Sequence, residues 1–298
     1  MRLKTNEKNL VKVAVQGRPA NPLRFAEFEM DAEGRGHFLP SVGGITYNVK
    51  VGDSAFHWRG DHVETGVSMT LDEEKRSGKQ NMALQFLACI GNEARIVSGA
   101  AKGAKGTVVG QHGGVEHLIV DFDDATLDKL TYDDKIMIRA FGQGLRLEGL
   151  EDILVYNLDP RILEFWAVRL ASGKLEVPVA LEVPSAIMGS GLGHGDPATG
   201  DYDITTQDAK IVKRLGLDRL RFGDFVAILD ADNTYGRHYF EGAVTIGIVS
   251  HSDSFLSGHG PGVSTLFSTR TRGRIVPKVS AKGSNLAEIL KIGRFRKK

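Results

Sequence analysis

Along most of this chain apolar and polar residues alternate over short distances, and the alternating runs are cut by glycine turns. Residues 44–53 (GITYNVKVGD), 116–124 (EHLIVDFDD), 134–142 (DKIMIRAFG), 222–230 (FGDFVAILD) and 242–250 (GAVTIGIVS) are rich in Val, Ile, Phe and Tyr. That pattern predicts half-buried strands. Val51-Gly52-Asp53, Tyr132-Asp133-Asp134 and Phe222-Gly223-Asp224 set turn-forming pairs beside such runs, as happens where short strands coil into small barrels.

Helical spacing is scarce. Ser77 to Ile90 puts Ala83, Phe86, Leu87 and Ile90 on one face before Gly91; Asp159-Pro160 opens a second helix that Gly173 would end; Thr205 with Asp208 resembles a capping box closed by Gly216. Regular alternation of strand with long helix is absent, which argues against a doubly wound parallel sheet. The fold expected is mainly β, made of barrel or sandwich modules with a few short peripheral helices. Three consecutive parts follow from the breaks near residues 91–106 and 150–159: an N-terminal β region (1–91), a small SH3-like central barrel (92–150) and a C-terminal β region with a basic tail (151–298).

Composition fits this picture. The 298 residues are 41% hydrophobic and 25% charged, with 36 glycines and 9 prolines, enough to bury two cores. No run approaches the roughly 18 to 20 apolar residues of a membrane-spanning helix, and the first residues lack the apolar centre of a signal peptide. Cytoplasmic residence with no membrane partner is the expectation. The one cysteine, Cys89, sits in an apolar run and reads as a core residue.

The net charge of +1 hides an asymmetry: residues 270–298 hold ten Lys or Arg against the single Glu288. Within them Ser284 can cap a short helix whose Leu286, Ile289 and Leu290 share a face, so a docked helix with solvated charges is expected. Only Phe295 accompanies the charges as a stacking aromatic, and nucleic acid is not the expected partner.

Chemistry concentrates in two similarly worded segments, DSAFHWRGDHVETGVS at 53–68 and DSFLSGHGPGVS at 253–264. The first supplies Asp53, His57, Asp61, His62 and Glu64; the second supplies Asp253, Gly258, His259 and Gly260, with His251 just before it. On extended backbone, residues two apart face the same side, which pairs His62 with Glu64 and His251 with Asp253. A pocket shared by both segments would hold two imidazoles and two carboxylates, suited to a divalent transition metal such as zinc, manganese or iron. His62, His251, Asp253 and His259 are the candidate ligands, Asp61 or Glu64 the candidate general base, and Asp53, His57, Gly258 and Gly260 candidate contacts to a small-molecule ligand. None of the spacings matches H-E-x-x-H, and Asp in glycine turns also serves simply to cap backbone N–H groups.

Two glycine-rich segments add to this. Residues 99–114 place Lys102 and Lys105 among glycines ahead of a predicted hairpin, where ammonium and N–H groups can cradle an anion, although the P-loop spacing is missing. This turn resembles that of small SH3-like barrels in ribosomal and transcription proteins. Residues 189–201, with His194, Asp196 and Asp201, read as a loop over the site.

The long phrases GITYNVKVGDSAFHWRGDHVETGVS, CIGNEARIVSGAAKGAKGTVVGQHGG, DKIMIRAFGQGL and GIVSHSDSFLSGHGPGVSTL resemble a bacterial and archaeal domain-of-unknown-function family, numbered 4438, over nearly the whole chain. That family has no assigned reaction, so the resemblance implies none. A fainter similarity is to the acetamidase and formamidase group of β-rich amide hydrolases, whose Gly-Asp, His and acidic order is echoed by Gly52-Asp53, His57, Gly60-Asp61 and Glu64. Here His62 follows Asp61 where that group has Gly. Two functions are expected as alternatives: a metal-assisted hydrolase of a small amide or related carbonyl compound, and a non-catalytic protein that binds a small anion or nucleotide-like metabolite. A third reading makes the chain a structural subunit whose strand edges support a homo-oligomer.

Overall fold

In the computed structural model, residues 3–24, 29–40, 42–71, 74 and 76–297 are described. Lys298, the end of the basic tail, lies outside them. The protein is mainly β with a few short helices, as its alternating pattern requires.

Six antiparallel strands close into a barrel. Val13–Pro19 pairs Ile136–Ala140, which pairs Glu93–Ile96, then Lys105–His112, His117–Asp121 and Gly66–Thr70, which returns to Val13–Pro19. Alternation sets the inside: Ala94 and Ile96, Ile136 and Ile138, Val67 and Met69, and Leu118 and Val120 fill it. A register shift between Val108 and Gly110 bends one long strand at the rim, as barrels need at their corners. The strands on either side of residue 91 thus belong to one sheet. The part expected at 92–150 does not close by itself, because its four strands meet their outer partners only in Val13–Pro19 and Gly66–Thr70.

A second sheet runs in the order Leu154–Val155, Gly262–Thr269, His238–Val249, Phe225–Asp232 and Leu181–Pro184, and Tyr202–Asp203 adds to the edge of Gly262–Thr269. All eight residues of Gly262–Thr269 are buried although four carry hydroxyls. Those hydroxyls are tied into the sheet: Ser264 Oγ lies 2.8 Å from Ser250 Oγ, and Ser268 Oγ lies 2.9 Å from Thr245 Oγ1 and accepts the Asn233 N–H at 2.8 Å. Trp166, Phe225 and Phe267 stack in the core beside this sheet. A third, three-stranded sheet joins Arg169–Ala171, Lys174–Val179 and Ile275–Val279.

The helices correct several expectations. Lys79–Leu87 buries Leu84 with Asn81 and Gln85, while Met82 and Phe86 stay exposed, so the apolar face expected from Ala83, Phe86 and Leu87 is not the docked one. Polar burial wins because Asn81 accepts from Leu71 N–H and donates to the Arg76 and Glu116 carbonyls. Gly173 turns a hairpin between Arg169–Ala171 and Lys174–Val179 instead of stopping a helix, since helix Ile162–Phe165 is only four residues long. Ala209–Leu215 is capped by Asp208 and ended by left-handed Gly216. The tail helix Leu286–Leu290 does dock, capped by Asn285, not Ser284. Beyond it, Arg294 pairs with Asp53 and Arg296 with Asp121, which accounts for part of the basic tail by internal ion pairs.

Candidate metal centre

The two similarly worded segments lie side by side. Glu64 and His251 form an antiparallel bridge; Ser252 donates its N–H to Val63 O at 3.0 Å, Asp253 donates to Ala55 O at 2.8 Å, and Phe255 donates to Asp61 Oδ1 at 3.1 Å. The barrel hairpin brings in His112 and His117, which are opposite each other in register. Strand Tyr202–Asp203 brings in Asp203, with Asp201 just before it, against the Gly262 end of the central strand.

Side chains from these four places converge at the floor of a cavity of about 480 Å³, lined by Asp61, His62, His112, Asp201, Asp203 and His259 among others, with Val42, Met82, Val115 and Leu256 on its walls. Three sets there present ligand atoms within 4.8 Å of one another: His62, His112 and His251; His62, Asp203 and His259; and Asp201, Asp203 and His251. They are positioned to hold a metal ion.

His251 and Asp201 are each anchored on the side away from the cluster. His251 is wholly buried, and its Nδ1 lies 3.0 Å from the Ser252 carbonyl, the partner that fixes a ring with Nδ1–H and a free Nε2. Asp201 accepts the Gly113 N–H through Oδ1 at 2.7 Å. That leaves His251 Nε2 and Asp201 Oδ2 buried and 2.8 Å apart as an ion pair, with no other close partner for either atom. Two buried polar atoms that face each other, each tethered on its far side, are placed to become neighbouring ligands of one ion. A side chain at position 262 would destroy the arrangement, since a Cβ there would stand 1.9 Å from Asp201 Oδ2 and 2.2 Å from His251 Nε2.

The carboxylates expected as bases stand behind the imidazoles. Asp61 takes the Nδ1 side of His62, and Glu64 takes the Nδ1 of His112 while lying 3.1 Å from that of His117. This is the outer-shell arrangement that orients metal-binding histidines. His62 itself adopts left-handed backbone (φ 48°), a strained geometry for a side chain of its size that aims it into the cluster.

The electrostatics favour a cation. Burial by itself would raise the Glu64 carboxyl, but His117 and His112 hold it well below the usual range. Burial would likewise raise Asp203, and His251, His259 and His62 outweigh it. Against burial, Asp203 and Asp61 push His62 up to about 9, and Asp201 and Asp203 hold His251 well above the ordinary imidazole range. His112, buried beside His251, is pushed down. In the metal-free chain the carboxylates therefore draw protons onto the same nitrogens that would bind an ion.

Of the residues singled out from sequence, His62, His251, His259, Asp61 and Glu64 meet here. Gly258 and Gly260 lie beside them, Gly258 accepting Ser190 N–H at 2.8 Å and Gly260 donating to Asp203 Oδ2 at 3.4 Å. Asp253 is outside the ligand sets; its carboxyl is pushed up to about 6 by burial. His57 is exposed and Asp53 is committed to Arg294 and the Lys50 N–H, so neither reaches the cavity. Lys102 is exposed in its turn and Lys105 pairs with Glu93 at 3.0 Å, both away from the lining. Sequence reasoning missed His112, His117 and Asp203 and read Asp201 only as part of a loop. Two signals were present: Asp201 and Asp203 are two apart on extended backbone, and His112 closes a strand against a glycine pair.

Family models place the chain at this point. One described as the N-terminal part of a domain of unknown function, DUF4438, matches residues 28–164, and its C-terminal counterpart matches residues 165–290. The chain belongs to the DUF4438 family. The solved crystal structure of TM1086 is similar to this DUF4438 chain at 42% identity and a TM-score of 0.90, covering 96% of this chain and 99% of that one. No curated protein matches it, and the fainter likeness to the acetamidase and formamidase group gains no support. Among the described residues, no helix is long and apolar enough to cross a membrane.

Proposed function

We propose that this DUF4438 protein is a metal-dependent hydrolase of a small amide or related carbonyl compound. The reading is carried by the buried His251 Nε2 and Asp201 Oδ2, which face each other 2.8 Å apart where Asp201 meets the cavity. His251, Asp201, Asp203 and His112 would hold the ion, and mixed imidazole and carboxylate donors suit zinc, manganese or iron. When bound, such an ion polarises a carbonyl oxygen and lowers the pKa of water toward neutrality. A cavity of about 480 Å³ with apolar walls and a polar floor favours a small, largely uncharged substrate. In this reading Asp61 and Glu64 are positioning residues, since their oxygens already engage imidazole and backbone groups. The anion-binding alternative loses its lysine donors, because neither Lys102 nor Lys105 faces the cavity.

The test is elemental analysis of the purified chain together with hydrolysis of formamide, acetamide and longer aliphatic amides before and after chelation. The expected result is a retained transition metal and an amidase rate that chelation lowers by at least about tenfold and re-addition of zinc, manganese or iron restores. Equal rates in metal-free and metal-loaded protein, or no retained metal after loading, would overturn the reading.

A further inference from the structure

We infer that the cavity floor is a two-ion site in which Asp203 bridges two divalent cations, an inference that rests on the metal-dependent reading above. The two oxygens of Asp203 face different partners. Oδ1 lies 3.5 Å from His251 Nε2, whose other neighbour is Asp201 Oδ2 at 2.8 Å. Oδ2 lies 3.0 Å from His259 Nδ1 and 3.7 Å from His62 Nε2, and those two nitrogens are 3.0 Å apart. Ligand atoms about 2.1 Å from one ion stand roughly 3.0 to 3.4 Å from each other, so each of these sets lies within a few tenths of an ångström of the spacing of adjacent ligands. They share no residue but Asp203.

A single ion cannot use them all and still react. Six protein donors would fill an octahedral ion and leave no position toward the cavity, whereas two ions about 3.5 to 4 Å apart under one carboxylate keep positions open on both. Charge agrees with this. Asp61, Glu64, Asp201 and Asp203 are buried at or behind the floor, and the buried guanidinium of Arg237 is the one permanent cation lining the cavity among the described residues, an excess of negative charge that one divalent ion does not neutralise. Arg237 is itself occupied in holding the Thr199 and Asp201 carbonyls. The second ion would lie on the open side of the floor, because the His259 side chain is 32% exposed while His251 is wholly buried.

Manganese alone is a sufficient probe. Full-length protein loaded with Mn²⁺ and desalted should retain about two ions per chain and give an exchange-coupled EPR spectrum; His259→Ala should retain about one and give an uncoupled six-line signal. One ion and a six-line signal in the unmodified protein would remove the bridged pair while leaving the single-ion reading intact. No retained ion in either protein would overturn both, and two coupled ions in His259→Ala would overturn the ligand assignment.

Discussion

Carboxylates meet cationic or cation-binding groups in two parts of this chain, and the two meetings differ. At the tail, Asp53 engages Arg294 and the Lys50 N–H, and Asp121 Oδ2 engages Arg296 and the Gly293 N–H. Each contact closes within the chain. At the cavity floor Asp201 and His251 are tethered on their far sides by Gly113 and Ser252, and their near atoms have no close partner but each other. A buried charge answered entirely by the chain holds the fold together, whereas one anchored behind and open in front is arranged for something the chain does not contain. Acidic and basic composition alone does not separate the two cases.

The hardest blow to that distinction would come from His251→Ala. It removes an atom from two of the three ligand sets and should abolish the ion held with Asp201 and Asp203, cutting retained transition metal by at least about half. Arg294→Ala, at the tail, should leave metal content unchanged and lower stability by only about 0.5 to 1 kcal/mol, because Arg294 is half exposed. Elemental analysis beside denaturant unfolding checks both. Equal metal loss in the two variants would show that the floor is not a local site.

The next effect belongs to the tail and is one of pH. Burial pushes the Asp121 carboxyl up to about 6 from its ordinary value of 3.8, although Arg296 opposes this. A carboxyl raised on folding binds its proton more tightly in the native state, so its stabilising contribution is complete below about pH 4 and is lost as pH rises through about 6. The loss is at most about 3 kcal/mol, from a shift of about two units. Asp121→Asn should flatten unfolding free energy over that window and leave metal retention at pH 7.5 untouched. An unchanged pH slope would show that Arg296 fully offsets the burial.

The same contrast explains what was legible in the sequence. Short alternating runs such as Ile136–Ala140 reported the mainly β fold, because half-buried strands must alternate. Closure of the barrel was not legible, since Val13–Pro19 and Gly66–Thr70 join strands about 50 or more residues away in sequence and nothing local specifies such a pairing. At the site, repeated wording brought out His62, His251 and His259. It also brought in Asp53 and His57, which share the phrase but not the cavity, because one residue of turn decides which way a side chain points. Asp203 was missed because its role depends on lying beside Gly262, a contact between segments 59 residues apart.

The smallest expected effect asks whether anchoring matters apart from ligation. Glu64 is not in the ligand sets, yet it takes the Nδ1 of His112 and lies 3.1 Å from the Nδ1 of His117. Glu64→Gln keeps the shape but removes the charge and replaces one of two acceptor oxygens with an NH₂, so His112, His117 and Ser68 must share a single acceptor and the hold on the His112 tautomer weakens. Metal affinity should fall by about 10- to 100-fold, equivalent to about 1.4 to 2.7 kcal/mol, as measured by competition with a chelating dye. Asp53→Asn, which loosens an equally tethered carboxylate at the tail, should not shift it. If Glu64→Gln binds metal as tightly as the parent, the tether contributes to folding alone, and the cavity floor then differs from the tail only in its open atoms.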